Sequence, residues 1–204
     1  MFGFTKEELK LLRSLRTPVQ VQDFLDTLPM NFGEQGDTLM SPRRVMRERK
    51  AHCMEGALLA AAAFWAHGRK PLLLDLRATV DDDDHVVALF QAHGLWGAVS
   101  KTNHAALRWR EPIFKTVRSL AASYFHEYFL DNGKRILREY SRPFDLSPKK
   151  YAGWVVAEED LWRLSDALDV SPHYSFLPAG ALRSVRLADH MERKAGAFVE
   201  WEKP

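Results

Sequence analysis

Apolar residues recur every three or four positions in the N-terminal part of the chain. This spacing predicts amphipathic helices, the first of them capped by Thr5, with Glu8 completing a capping box. A second helix is predicted from Pro18 to Leu28, and a short charged helix begins at Ser41-Pro42. We expect the intervening segment 29–40 to be a loop.

The segment that begins at Cys53 has a different pattern, because apolar residues occupy nearly every position of an alanine-rich stretch that ends at Gly68. A helix that is apolar all round is buried, and a glycine is the usual residue just after a helix end. The sequence therefore predicts a buried central helix that runs to about His67, with Cys53 in its first turn.

Short apolar runs follow this helix, separated by clusters of aspartate and glycine. They are typical of strands in a small, mostly antiparallel sheet, and they comprise Leu72 to Leu76, His85 to Phe90 and Leu95 to Val99. Two later helices are predicted, over Thr116–Leu130 and Ala157–Leu168, with loops at 147–153 and 171–180. This order of elements predicts an α+β fold.

Composition and charge narrow the class of protein. Apolar residues make up 46% and charged residues 27% of the 204 residues, which fits one globular domain spanning residues 1–204. The net charge is only +2, so we expect no nucleic-acid partner, and no apolar run is long enough to cross a membrane. Lys6 and two glutamates stand where an export signal would be apolar, which favours a cytoplasmic location. The oligomeric state is left open.

Cys53 is the single cysteine of the chain, so it forms no internal disulfide and contributes to no multi-cysteine zinc site. A thiol in the first turn of a helix lies beside unpaired amides and the positive end of the helix dipole, which lower its pKa. Lone cysteines are also common as small buried apolar residues. His85 follows an acidic turn at the start of a predicted strand, where an imidazole could take a proton from the thiol.

The residues from Met40 to Pro112 resemble the transglutaminase-like, or papain-like, core. The resemblance rests on the stretch Ala51 to Ala57 around the cysteine, the alanine-rich helix, the strand that follows it, His85, and Gly94-Leu95-Trp96-Gly97. It implies a central helix on a small antiparallel sheet with flanking helices. It also implies that Cys53 is a nucleophile and His85 its base.

The third position departs from that family. Its members carry an aspartate after the tryptophan-bearing strand, and this chain has none there. With a three-residue loop at 92–94, Asn103 would share a face with His85; with the two-residue loop His93-Gly94, Ser100 would do so instead. A glycine at the end of a three-residue loop favours the first register, so Asn103 is predicted to orient the histidine.

These residues predict a thiol-dependent hydrolase or acyltransferase that acts on an amide or peptide bond through Cys53, His85 and Asn103, without a cofactor or metal. A protein that keeps the fold as a binding or scaffold domain, without turnover, is the alternative from another class. A metal site is a further alternative, with His85 and the aspartates 81–84, or with His104, His126 and Glu127 as ligands. Neither set has a known ligand spacing.

Overall fold

The computed structural model describes residues 3–34, 36–178 and 180–203. It is a mixed α+β structure, as predicted from the order of elements. The α-helices are α1 Lys6–Ser14, α2 Pro18–Asp26, α3 Pro42–Glu48, α4 Cys53–Ala66, α5 Val117–Ala122, α6 Trp162–Asp169 and α7 His190–Gly196. Within the described residues, no helix is both long enough and apolar enough to cross a membrane.

The described strands form one open sheet, and every pairing in it is antiparallel. The strands are β1 Leu72–Arg77, β2 His85–Ala92, β3 Leu95–Val99, β4 Arg110–Phe114, β5 Glu139–Ser141, β6 Phe144–Asp145 and β7 His173–Ser175. Their order is β4-β3-β2-β1-β5-β7, and β6 also pairs with β1. The two central strands, β1 and β2, are therefore covered on both edges.

An apolar core lies on each face of this sheet, because successive side chains of a strand point to opposite faces. Val86 and Ala88 of β2 belong to the core that contains α4, whereas Val87 and Leu89 belong to the core that contains α5. Helices α1, α2 and α3 pack against the outer side of α4. The helix that carries Cys53 is thus the buried central helix that the alanine-rich pattern predicts.

The helix predicted over Thr116–Leu130 is much shorter, since α5 ends at Ala122. The hydroxyl of Ser123 donates to the Leu120 carbonyl at 2.6 Å, and Arg110 donates to both the hydroxyl and the carbonyl of Ser123. A side chain that bonds nearby backbone groups competes with the helical pattern, and here it ends the helix. Tyr124 and Tyr128, beyond the end of the helix, are buried in the core without being helical.

Two further boundaries differ from prediction because of long-range contacts. The helix predicted from Ala157 begins only at Trp162, since Leu161 donates its backbone N–H to the Leu39 carbonyl and the Asp160 carboxylate accepts from the Leu39 N–H. The segment 171–180, predicted as a loop, contains β7, a short strand that lies exposed at the sheet edge. The hydrogen bonds of Leu39 and the pairing of β7 with β5 both join distant parts of the chain, so no local pattern in the sequence indicates them.

The β2–β3 hairpin has the shorter of the two predicted loops. Ala92 pairs with Leu95, so His93 and Gly94 alone form the turn, with φ of 52° and 76°. Two successive residues with positive φ make a type I′ turn, whose twist matches that of a hairpin. The three-residue register preferred from sequence is wrong, and the side chains that follow β3 lie on the opposite faces from those it implied.

α4 approaches the segment after β3 closely at Gly56. A Cβ atom at this position would lie 2.5 Å from the Cβ of Lys101, whose side chain is buried and donates to the Leu28 carbonyl at 2.5 Å. Only a glycine leaves room for this approach. The contact therefore sets the distance between α4 and the segment that follows β3.

Gly56→Ala should therefore destabilise the protein. Overpacking costs roughly 1–3 kcal/mol, and alanine recovers up to about 1 kcal/mol of helix propensity. We expect a net loss of about 1–2 kcal/mol in the free energy of unfolding, measured by urea denaturation. A variant as stable as the wild type would contradict the close approach of Gly56 and Lys101.

Candidate active site

The start of α4 is fixed by backbone bonds on both sides of Ala51. Its N–H donates to the Pro29 carbonyl, and its carbonyl accepts from the N–H of Asn31. His52 is then the N-cap residue and Cys53 the first residue of the helix, as the sequence predicts. Cys53 is a half-buried residue whose thiol lies at a helix N-terminus.

Glu55 is a fully buried carboxylate within the first turn of α4. It accepts hydrogen bonds from the backbone N–H of His52 and Met40, the hydroxyl of Thr38 and the amide of Asn31, at 2.8–3.0 Å. A buried charge persists only where such donors replace water. Glu55 therefore attaches the loop before α3 to the residues on either side of Cys53.

His52 lies between this carboxylate and the thiol. Its Nε2 is 2.9 Å from the Thr38 carbonyl, which can only accept, so Nε2 carries a proton; Oε1 of Glu55 is 3.5 Å from the same nitrogen. Burial would lower the pKa of His52, but its hydrogen bond to the Cys53 thiolate and the charges of Cys53 and Glu55 raise it to about 9. His52 is therefore a cation at neutral pH.

His85 is held by Ser100. Its Nε2 lies 2.8 Å from the Ser100 hydroxyl oxygen, and that hydroxyl lies 2.5 Å from the Leu107 carbonyl. A hydroxyl has one proton, and the carbonyl can only accept it. The serine oxygen must then accept from Nε2–H of His85, which leaves Nδ1 of the neutral ring as a proton acceptor.

The Cys53 thiol lies close to the start of β2 and interacts with two imidazoles. Its Sγ lies 3.9 Å from the Asp84 carbonyl oxygen at the mouth of β2. Burial would raise the pKa of the Cys53 thiol, but hydrogen bonds with the imidazoles of His52 and His85, together with their charge, lower it to about 5. The structure thus brings together the predicted pair, Cys53 and His85, and adds His52 to it.

The prediction that Asn103 points its side chain towards His85 is wrong. Both ends of its amide bond the backbone of Trp201, since Nδ2 donates to the carbonyl and Oδ1 accepts from the N–H, each at 2.9 Å. The cause is the two-residue hairpin turn, which places Ser100 on the face of His85. Ser100, the open alternative from the sequence, occupies the third position.

Gln22 fixes Ser100 in turn. Its side-chain amide donates to the Ser100 carbonyl at 2.8 Å and accepts from the Ser100 N–H at 3.0 Å. Sequence reasoning missed Gln22, which stands far from Ser100 along the chain and belongs to no local motif. It also gave His52 no role, although His52 immediately precedes Cys53.

A cleft of about 780 Å³ lies at the other end of α4, lined by residues that include Phe64, Trp96 and Arg142. Neither Cys53 nor His85 lines it. Among the described residues, no thiol, imidazole or unpaired carboxylate lines this cleft. We therefore place the candidate chemistry at the N-terminus of α4 and not in the cleft.

Carboxylates that could hold a cation lie next to the thiol site. Among the described residues, one group of three aspartates, Asp75, Asp84 and Asp169, has ligand atoms within 4.8 Å of one another. The sets considered from sequence do not assemble, and Glu127 instead pairs with Arg110 at 2.6 Å. The fold thus brings Asp84, from the first of these sets, together with Asp75 and Asp169, which neither set included.

Glu55→Gln should destabilise the protein by about 2–4 kcal/mol. The substitution replaces one accepting oxygen by an NH2 group, which cannot accept from the donors that surround it, so those donors lose their partner. Urea denaturation measures the loss. Glu48→Gln, which alters an exposed ion pair with Arg47, is the matched control and should change stability by less than about 1 kcal/mol. Equal effects of the two substitutions would contradict the anchoring role of Glu55.

Alkylation of Cys53 by iodoacetamide should remain fast until the pH falls through about 5. The thiolate is the reactive form, and an ordinary cysteine becomes mostly protonated once the pH falls below about 8.5. His52→Gln removes a cation from the thiolate and should move the midpoint to higher pH. His126→Gln, at an exposed histidine, should leave the midpoint unchanged; a wild-type midpoint near that of free cysteine would contradict the lowered pKa.

A search of protein-family models found no match to this chain, and a search of curated proteins found no relative. The resemblance to the transglutaminase-like core therefore rests on the residues quoted for it above.

Proposed function

We propose that this protein is a thiol-dependent hydrolase or acyltransferase that acts on an amide or peptide bond. Cys53 is the nucleophile, His85 the general base and acid, and Ser100 the residue that orients His85. The observation that carries the proposal is the hydrogen bond between His85 and Ser100, because it leaves the ring nitrogen that accepts a proton available to the thiol.

In the proposed resting site the thiol proton already lies on Nδ1 of His85, because the pKa of Cys53 is lowered to about 5, and the reaction begins when the thiolate attacks the carbonyl carbon of the substrate. The oxyanion that forms lies near the backbone amides of the first turn of α4, where the helix dipole favours negative charge. His85 then gives its proton to the departing amine as the carbon–nitrogen bond breaks. A thioester between the acyl group and Cys53 remains.

The second half of the reaction removes the acyl group. A water molecule, or an amine in the case of transfer, loses a proton to His85 and attacks the thioester, and the thiolate departs. The cation of His52 stabilises that thiolate as a leaving group, and the buried Glu55 keeps the imidazole charged. Hydrolysis and transfer use the same residues.

The proposed fold family is the transglutaminase-like core. A central helix that begins with the cysteine, an antiparallel sheet on which it packs, and a histidine at the start of the second strand support it. The serine in the third position is the difference. A neutral hydroxyl fixes the histidine tautomer, as an asparagine would, but adds no negative charge to stabilise the imidazolium.

The test compares three alanine substitutions on a panel of fluorogenic peptide amides and on a peptide chloromethyl ketone that labels reactive thiols. Cys53→Ala should abolish both turnover and labelling. Ser100→Ala should lower kcat about 10–100-fold with little change in KM, because the histidine loses its fixed tautomer but the fold remains. Asn103→Ala is the control and should keep kcat, since its amide bonds only the Trp201 backbone.

Ser100→Thr distinguishes orientation from a merely structural role, because it restores the hydroxyl and should recover most of the activity that Ser100→Ala loses. The proposal fails if Asn103→Ala loses activity and Ser100→Ala does not. It also fails if wild-type protein turns over no amide and its thiol reacts like free cysteine, and the chain is then better explained as a binding domain without catalysis.

A further inference from the structure

Three aspartates from separate parts of the chain meet beside the central strand β1, near the start of β2. Asp75 lies on β1, Asp84 ends the acidic turn before β2, and Asp169 is the last residue of α6. One carboxylate oxygen of each lies within 4.8 Å of the other two. At that limit a single ion would lie at most about 2.8 Å from each oxygen, so a small inward movement brings all three to the 2.0–2.6 Å typical of magnesium and calcium.

Asp75 is the most unusual of the three, because only 1% of its surface is exposed. Its Oδ2 lies 3.0 Å from Nε2 of His173. Its Oδ1 is buried and accepts no hydrogen bond from any residue that the structure describes. A buried carboxylate oxygen without a donor is costly, so this atom lacks a partner in addition to His173, which bonds the other oxygen.

The nearest guanidinium is engaged elsewhere, and of the two Asp75 oxygens His173 bonds only Oδ2. Arg77 lies 3.9 Å from Oδ2 of Asp84, but its guanidinium donates to the Asp169 carbonyl at 2.5 Å and to Glu139 at 3.1 Å. The other oxygen of Asp84 accepts from the Ala78 N–H at 2.7 Å. The guanidinium therefore lies at the side of the group and is held there by other acceptors.

We propose that Asp75, Asp84 and Asp169 bind one hard divalent cation, calcium or magnesium, with water completing its coordination. The donor set decides the class of metal, because carboxylate oxygens suit these ions and softer metals prefer nitrogen or sulfur. His173 cannot serve as a ligand, since Nε2 faces Asp75 and Nδ1 lies 2.6 Å from the Ser171 carbonyl.

Such an ion would join three elements that the chain connects only through long segments: the central strand β1, the acidic turn before β2 and the C-terminal end of α6. Asp84 immediately precedes His85, so the bound cation would also hold the turn that leads to the candidate base. The site does not depend on the proposed thiol chemistry, and its test needs no substrate.

Protein treated with EDTA and then dialysed is titrated with calcium chloride, and separately with magnesium chloride, by calorimetry. We expect one ion bound per chain with either or both salts. At about one hundred times the dissociation constant, the bound ion should raise Tm by roughly 5–10 °C. No binding and no Tm shift up to about 10 mM of either salt would overturn the proposal.

Asp84→Asn and Asp169→Asn should each weaken binding by about tenfold or more, because each removes one ligand charge. Both substitutions keep the shape of the side chain, and Asp169 is exposed, so we expect the fold to be retained. Asp75→Asn is avoided because Asp75 is buried and its loss could unfold the protein. Asp166→Asn removes an exposed aspartate from the same helix outside the group and should bind as the wild type does. Binding unchanged in both ligand variants would place the ion elsewhere and overturn the site.

Discussion

The buried carboxylate of Glu55 is the interaction on which the geometry around Cys53 depends. It accepts from two backbone amides and two side chains, which belong to the start of α4 and to the loop that precedes α3. These donors determine where His52 lies relative to the thiol. The same carboxylate supports the charge of the imidazole, so one side chain contributes to both the shape and the electrostatics of the site.

In the proposed mechanism, Ser100 fixes the tautomer of His85 and contributes no charge. The hydroxyl of Ser100 is held by the Leu107 carbonyl on one side, and its backbone is held by Gln22 on the other. Positive charge beside the thiolate comes instead from His52, on the opposite side of the sulfur. Orientation and charge stabilisation, which one carboxylate would combine, are divided here between two residues.

The sequence allowed the α+β class, the central helix and the strands that follow it to be predicted, because their apolar patterns are strong and local. The same holds for Cys53 at the helix start and His85 at the strand start. The partner of His85 was mispredicted because it depends on strand register, which the loop length decides and the apolar pattern does not. Gln22 and the three aspartates come together only through the fold, and no spacing in the sequence indicates them.

The turn at His93-Gly94 lies at the far end of the hairpin from His85, and yet it determines what the histidine bonds. Both residues of the turn have positive φ, a conformation that glycine adopts freely and most other residues resist. A substitution that favoured a longer loop would shift β3 by one residue and turn the Ser100 side chain to the other face. The length of an exposed turn thus constrains how the surroundings of His85 can vary, because it decides which side chain faces the imidazole.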